Sequence, residues 1–190
     1  MSSPLSRIRL AVQPISAEVF APYGRLLQPR AHPVQRDFTD AGLECDGRPT
    51  LNVIWQPPEG LRFTRLERHS ALTQGFVHLQ GGPAVICVAA ATDPSPESIP
   101  DPHALRAFRV EPGMAWLFHR HTWHALDRYV PGPEACTFLI INSDPNPTQI
   151  VDYATGVSEL HADLGNDSAP RRIDHAAGQG IEFEIDSTGL

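Results

Sequence analysis

Hydrophobic positions gather in a series of short β-prone runs, several of them alternating with polar ones: Ile8 to Val12, Leu51 to Trp55, Arg62 to Leu66, Gly75 to Leu79, Val85 to Ala89, Ala107 to Val110, Ala115 to Phe118 and Thr137 to Ile141. A period of two marks a strand with one buried face. The punctuation between the runs is turn material, as in Gln56-Pro57-Pro58-Glu59-Gly60, Gln80-Gly81-Gly82-Pro83 and Glu111-Pro112-Gly113. Helical evidence is confined to Ser16 to Tyr23, where Ser16 is placed to cap a short helix. Gln149 to Tyr153 reads as a turn. Many short strands at regular spacing predict an all-β chain, an antiparallel sandwich or small barrel. The stretch from Asp93 to Pro102 holds four prolines and is expected as an exposed loop. His161 to Gly180 has no apolar period and reads as a loose segment. Beyond it Ile181, Phe183 and Ile185 alternate with acids, a weak strand signal. Residues 1–156 therefore read as one β domain and 157–190 as an acidic, partly irregular C-terminal extension.

Composition narrows the function classes. A chain of 190 residues with 41% hydrophobic side chains has material for a single core. The net charge of −7 carries no basic patch suited to a phosphate backbone, so nucleic acid is not expected as a partner. All fifteen cationic side chains are Arg. Without Lys, Schiff-base chemistry, a P-loop lysine and a lysine base are excluded. Cys45, Cys87 and Cys136 are odd in number and lack a CxxC pair, which argues against a disulfide framework or thiolate zinc site and for a reducing cytoplasm. Met1 to Arg7 lacks the apolar core of a signal peptide, and the longest apolar run, Ala84 to Ala91, is too short to span a bilayer. The expectation is a cytoplasmic protein with no membrane partner.

The chemistry-bearing residues fall in two stretches. Glu67 and His69 are two apart, so on a strand both project from one face. Gln74 follows five residues later and Gly81 seven after that, at a turn. In the second stretch His119, His121 and His124 lie within six residues, with Thr122-Trp123-His124 at its end. A charged and polar set of this kind is costly to bury without a task. The first spacing resembles the first cupin motif, with Glu67 in place of a His and Gln74 in place of a Glu. The second resembles the end of the second cupin motif, where the His is a metal ligand.

Together, Leu66-Glu67-Arg68-His69, Thr73-Gln74-x-Phe76, Leu105-Arg106-Ala107-Phe108 and His119-Arg120-x-x-Trp123-His124 resemble the ureidoglycolate lyase family. Weaker similarity runs from Gln13-Pro14-Ile15 and Phe20-Ala21-Pro22-Tyr23-Gly24 to Phe138-Leu139. The resemblance implies a cupin-type double-stranded β-helix barrel with a short N-terminal helix, a homodimer, and cleavage of ureidoglycolate to glyoxylate and urea. It places His69, His124, His119 and Glu67 as catalytic candidates: His124 or His69 as base, His119 as acid. Gln74, Arg68, Arg106, Arg120 and Trp123 become candidates for substrate binding. Glu67, His69, Gln74 and His124 are candidate ligands of a divalent metal ion; no nucleotide or organic cofactor is implied. His78, His103 and His161 read as solvent-facing.

Departures from the family pattern bear on the substrate. An Asn-Arg pair on a strand is replaced by Val53-Ile54, Asn and Tyr ahead of the His-Arg by Leu117 and Phe118, and a His-Pro by Ala125-Leu126. Loss of an inward Arg removes a bidentate partner for a carboxylate, which predicts weak hold on ureidoglycolate and room for an apolar substituent. Two alternatives stand beside the lyase: a non-catalytic cupin binding a small ligand, and a metal-dependent isomerase or decarboxylase on the same scaffold.

Overall fold

The computed structural model describes residues 4–28, 42–175 and 180–188. Its strands, in chain order, are β1 (Ser6–Pro14), β2 (Gly24–Leu27), β3 (Arg48–Gln56), β4 (Arg62–Phe63), β5 (Arg65–His69), β6 (Gly75–Gln80), β7 (Ala84–Ala89) and β8 (Arg106–Val110). Then follow β9 (Ala115–Phe118), β10 (Trp123–Ala125), β11 (Cys136–Asp144), β12 (Thr148–Asp152), β13 (Val157–His161), β14 (Arg171–Asp174) and β15 (Ile181–Asp186). The one α-helix among the described residues, α1 (Ala17–Phe20), starts at Ser16, whose hydroxyl accepts from the Val19 amide. No helix among the described residues is long and apolar enough to cross a membrane.

Two sheets face each other as a cupin-like β-barrel. One has five strands in the order β2-β9-β6-β11-β3; the other has ten, β14-β13-β12-β5-β10-β7-β8-β1-β15-β4. At its centre, in β7 and β10, the larger sheet is buried on both faces. Along β7, Ala84, Ile86 and Val88 point into the barrel with Phe76, Phe108, Trp116, Phe118 and Phe138. Val85, Cys87 and Ala89 point the other way, into a second core with Leu66, Trp123, Tyr153, Phe183 and Ile185. Continuous apolar sequence in β7 is what two buried faces require. The turn from β6 to β7 depends on Gly81, whose φ is +111° and where a Cβ would lie 2.5 Å from the Ala135 carbonyl oxygen.

Several elements differ from the sequence pattern. Gln149 to Asp152 is strand, with the turn only from Tyr153: β12 lies between β5 and β13, its Gln149 and Val151 buried on one face. The segment expected to be loose contains β14, paired antiparallel with β13; its residues 176–179 lie outside the described ones. β15 is paired in parallel with β1, Ser6 opposite Ile181 through Ala11 opposite Asp186, and delivers Phe183 and Ile185 to the outer core. The proline-rich loop is exposed but tied: the Arg68 guanidinium donates to the carbonyls of Asp93 and Ser95, Gln149 to that of Pro96, and the Tyr153 hydroxyl to that of Pro100. His78, expected at the surface, is fully buried inside the barrel and stacked on Phe138 with ring centres 4.4 Å apart.

The pairing of β15 generates a prediction. Phe183→Ala should destabilise the fold by about 3–5 kcal/mol, as expected for a fully buried aromatic, and lower the melting temperature by roughly 10 °C for a chain of this size. Thermal denaturation followed by circular dichroism checks it, and an unchanged midpoint would remove β15 from the core.

Candidate functional site

The polar centre of the barrel follows from the pleat of β5. Leu66 and Arg68 face the outer core, so Glu67 and His69 face the barrel. β10 and β12 flank β5, with His124 opposite Glu67 and Thr148 opposite His69. Residues directly opposite project from the same face. Glu67, His69, Gln74 and His124 thereby meet, each no more than 8% exposed.

The hydrogen bonds assign the histidine tautomers. Thr148 Oγ1 donates to the Asn146 carbonyl (3.0 Å), so it accepts from His69 Nδ1–H at 2.9 Å. His69 Nε2 is then a lone pair, facing the Gln74 amide nitrogen at 3.0 Å. That nitrogen donates also to Asn142 Oδ1, leaving Gln74 Oε1 buried without a partner. His124 Nδ1–H donates to the Ala125 carbonyl at 3.0 Å, and its Nε2 is a buried lone pair with no partner. The Phe118 ring stacks on His124 at 4.7 Å. Glu67 Oε1 lies 3.8 Å from His69 Nε2 and 3.7 Å from His124 Nδ1.

Burial sets the protonation. It pushes the Glu67 carboxyl up to about 7, against the opposing pull of Arg128. It pushes His69 down to about 4, and His124 well below the ordinary imidazole range, the latter helped by the neighbouring His69. Both imidazoles are therefore neutral, with Nδ1–H anchored on an oxygen and Nε2 unprotonated. That is the arrangement of metal-binding histidines. One donor atom from each of Glu67, His69 and His124 lies within 4.8 Å of the others. The donor set fits a divalent cation with mixed nitrogen and oxygen preference.

The remaining candidates divide. Arg106 shares this face, in the cross-strand row Glu67–His124–Val88–Arg106, and is exposed at the rim. Arg68 and Trp123 lie on the opposite face of the sheet: Arg68 stacks over the Trp123 ring and binds Gln149 and the proline-rich loop, and the Trp123 indole donates to Thr92. There they tie β5 and β10 to β12 and the proline-rich loop. His119 points outward, its Nε2 on the Ala21 carbonyl, because Phe118 takes the inward position of β9. Arg120 is held at the surface by Asp46 and Glu44. Of the departures, only Ile54 and Phe118 face the interior; Val53 is 64% exposed on the outer side of β3 and Ala125 belongs to the outer core.

Three contributors escaped the sequence reading. Thr148 and Asn142 have no motif. Arg128 follows β10 in Leu126-Asp127-Arg128-Tyr129, where no alternation announces its direction. The bridge between Val85 and Tyr129 sends Tyr129 to the outer core, which turns Arg128 inward.

The raised carboxyl makes a testable statement about stability. Because Glu67 titrates near 7 in the fold and near 4.5 when unfolded, its contribution is intact below pH 4.5 and is lost as pH rises through 7. In chelator-treated protein, Glu67→Gln should gain on wild type by roughly 3 kcal/mol between pH 4.5 and 8. Melting temperatures compared across that range check it; a difference that does not change with pH would contradict a buried, raised carboxyl.

Comparison with known proteins agrees with this geometry. A ureidoglycolate lyase family model matches residues 7–159. The ureidoglycolate lyase of Rhodobacter capsulatus is 28% identical over 130 residues, covering 62% of this chain and 77% of the relative. Those of Escherichia coli O139:H28 and Shigella boydii serotype 18 are each 31% identical over 134 residues, covering 62% of this chain and 78% of theirs. The match takes in every residue of the buried cluster, from Glu67 to Thr148, and on it the chain belongs to the ureidoglycolate lyase family.

Proposed function

We propose that the protein is a carbon–nitrogen lyase acting on ureidoglycolate or a close 2-hydroxy acid analogue, with glyoxylate and urea as products of the family substrate. The observation that carries the reading is the buried group of Glu67, His69, Gln74 and His124, in which two neutral imidazoles and one amide oxygen present unprotonated atoms inside the barrel. A substrate of this kind loses the proton of its C2 hydroxyl as the bond to the ureido nitrogen breaks. The electron pair of the O–H bond becomes the new carbonyl, and the departing nitrogen takes up a proton. His124 Nε2, which has no other partner, accepts the hydroxyl proton and returns it to the nitrogen. Glu67, 3.7 Å from the same ring, balances the imidazolium charge while it lasts. Gln74 Oε1 accepts from a ureido N–H and orients the leaving group. No covalent nucleophile is needed, in keeping with a chain free of Lys.

We propose, as the alternative use of the same atoms, that Glu67, His69 and His124 hold a divalent cation, with Gln74 able to turn its amide oxygen toward it; the His124 Nε2 lone pair is then a ligand and not the base. Such an ion would polarise the hydroxyl and carboxylate oxygens of a 2-hydroxy acid. The support is the tautomer pattern, which leaves a lone pair on each Nε2. For the assembly we propose a homodimer built on β3, an edge strand whose outer residues Leu51, Val53 and Trp55 are 64–69% exposed. Two copies pairing antiparallel about Val53 would set Leu51 against Trp55 in a self-complementary apolar strip. The three cysteines are free thiols, which supports a cytoplasmic setting.

Wild type incubated with racemic ureidoglycolate should release urea and glyoxylate, and His124→Gln should lower kcat by about 10²–10⁴-fold, the range for losing a positioned acid–base group. Tight binding without turnover would instead assign a non-catalytic ligand-binding cupin. For the assembly, light scattering should report a dimer for wild type and a monomer for Trp55→Glu; a monomeric wild type would overturn it.

A further inference from the structure

Arg128 is the interior's unexplained charge. It is only 9% exposed, and its guanidinium forms no hydrogen bond or ion pair with any described residue. Its guanidinium carbon sits 5.0 Å over the Phe76 ring. Phe76 packs edge-on against Phe118, and Phe118 stacks on His124, so the cation stands in the same chamber as the buried cluster. Glu67 and His124 both feel its field. A buried cation without hydrogen-bond partners is among the costlier arrangements a fold can hold. The ring lies against the guanidinium, and the Nε–H is buried without a partner.

We propose that Arg128 is the residue that binds the carboxylate of the substrate, two parallel N–H···O bonds anchoring a small 2-hydroxy or 2-oxo carboxylate in front of His124 and Gln74. The inference rests on the lyase reading for the identity of that acid, but the demand for an anion comes from the chamber itself. Glu67 does not supply it: its carboxylate makes ion-pair contacts with His69 and His124 and none with the Arg128 guanidinium. A divalent ion on Glu67, His69 and His124 would only add positive charge and strengthen the demand. The position also answers the departure at Ile54: the inward cation expected on β3 is absent, and the chamber receives one from the segment after β10 instead. Geometry of this kind suits Arg and not Lys, since the fork matches both carboxylate oxygens at once.

The test uses glyoxylate and N-(hydroxymethyl)urea as probes, the first carrying the carboxylate and the second the carbinol and ureido groups without it. By calorimetry, Arg128→Gln should bind glyoxylate roughly 10- to 100-fold more weakly than wild type, the loss for one charged bidentate contact, with binding of hydroxymethylurea unchanged. Arg128→Lys should recover part of the affinity and serves if the Gln variant fails to fold. Equal weakening of both probes would mark Arg128 as a structural residue and overturn the proposal, as would glyoxylate binding that ignores the substitution or a wild type that binds no glyoxylate. Arg128-dependent glyoxylate binding without turnover of ureidoglycolate would keep the carboxylate site and remove the lyase reading; turnover with KM unaffected by Arg128→Gln would do the reverse.

Discussion

The pleat of β5 is the constraint on which the rest of this molecule depends. Five residues, Arg65 to His69, lie in a sheet buried on both faces, so each step along the chain changes the side served. Leu66 and Arg68 secure the outer core and the proline-rich loop, while Glu67 and His69 furnish the barrel interior. A slip of one residue in register would exchange the two sets, sending a carboxylate and an imidazole into an apolar core. β10 and β12 hold that register from either side, and they supply His124 and Thr148 in doing so.

Electrostatics in the barrel follow from the same burial. Each ionisable group, taken alone, is driven toward its neutral form, the carboxyl upward and the imidazoles downward. Arg128 is the exception, since a guanidinium cannot give up its proton at accessible pH. The interior thus combines neutral lone pairs with a fixed positive charge, a setting suited to a small anion whose proton is to be moved.

Much of the fold was legible in the sequence because period-two alternation survives wherever one face is polar. The runs at Ala115 to Phe118 and Gly75 to Leu79 coincide with β9 and β6 almost residue for residue. It failed where burial was two-sided or the partner polar: β12 reads as a turn because Gln149 occupies a buried position, matched there by Arg68 and Ser158. The site was legible in the same way. Glu67, His69, Gln74 and His124 could be grouped by spacing. Arg68, Trp123, His119 and Arg120 were grouped by proximity in sequence, which a strand does not preserve across its faces. Arg128 carried no local signal, because its direction is set by a bridge to Val85 more than forty residues away.

The parallel pairing of β1 with β15 joins residues 6–11 to 181–186. Closing so large a loop is entropically slow, and nothing in the first strand's own neighbourhood can substitute for its distant partner. On the ribosome, β1 must wait until the chain through Asp186 has emerged before this part of the sheet can form. The outer core that receives Phe183 and Ile185 stays open until then, and Leu66, Cys87 and Trp123 lack that cover. The same wait exposes the strand edge that carries Ile8 and Leu10, so until β15 docks the nascent chain is most open to aggregation.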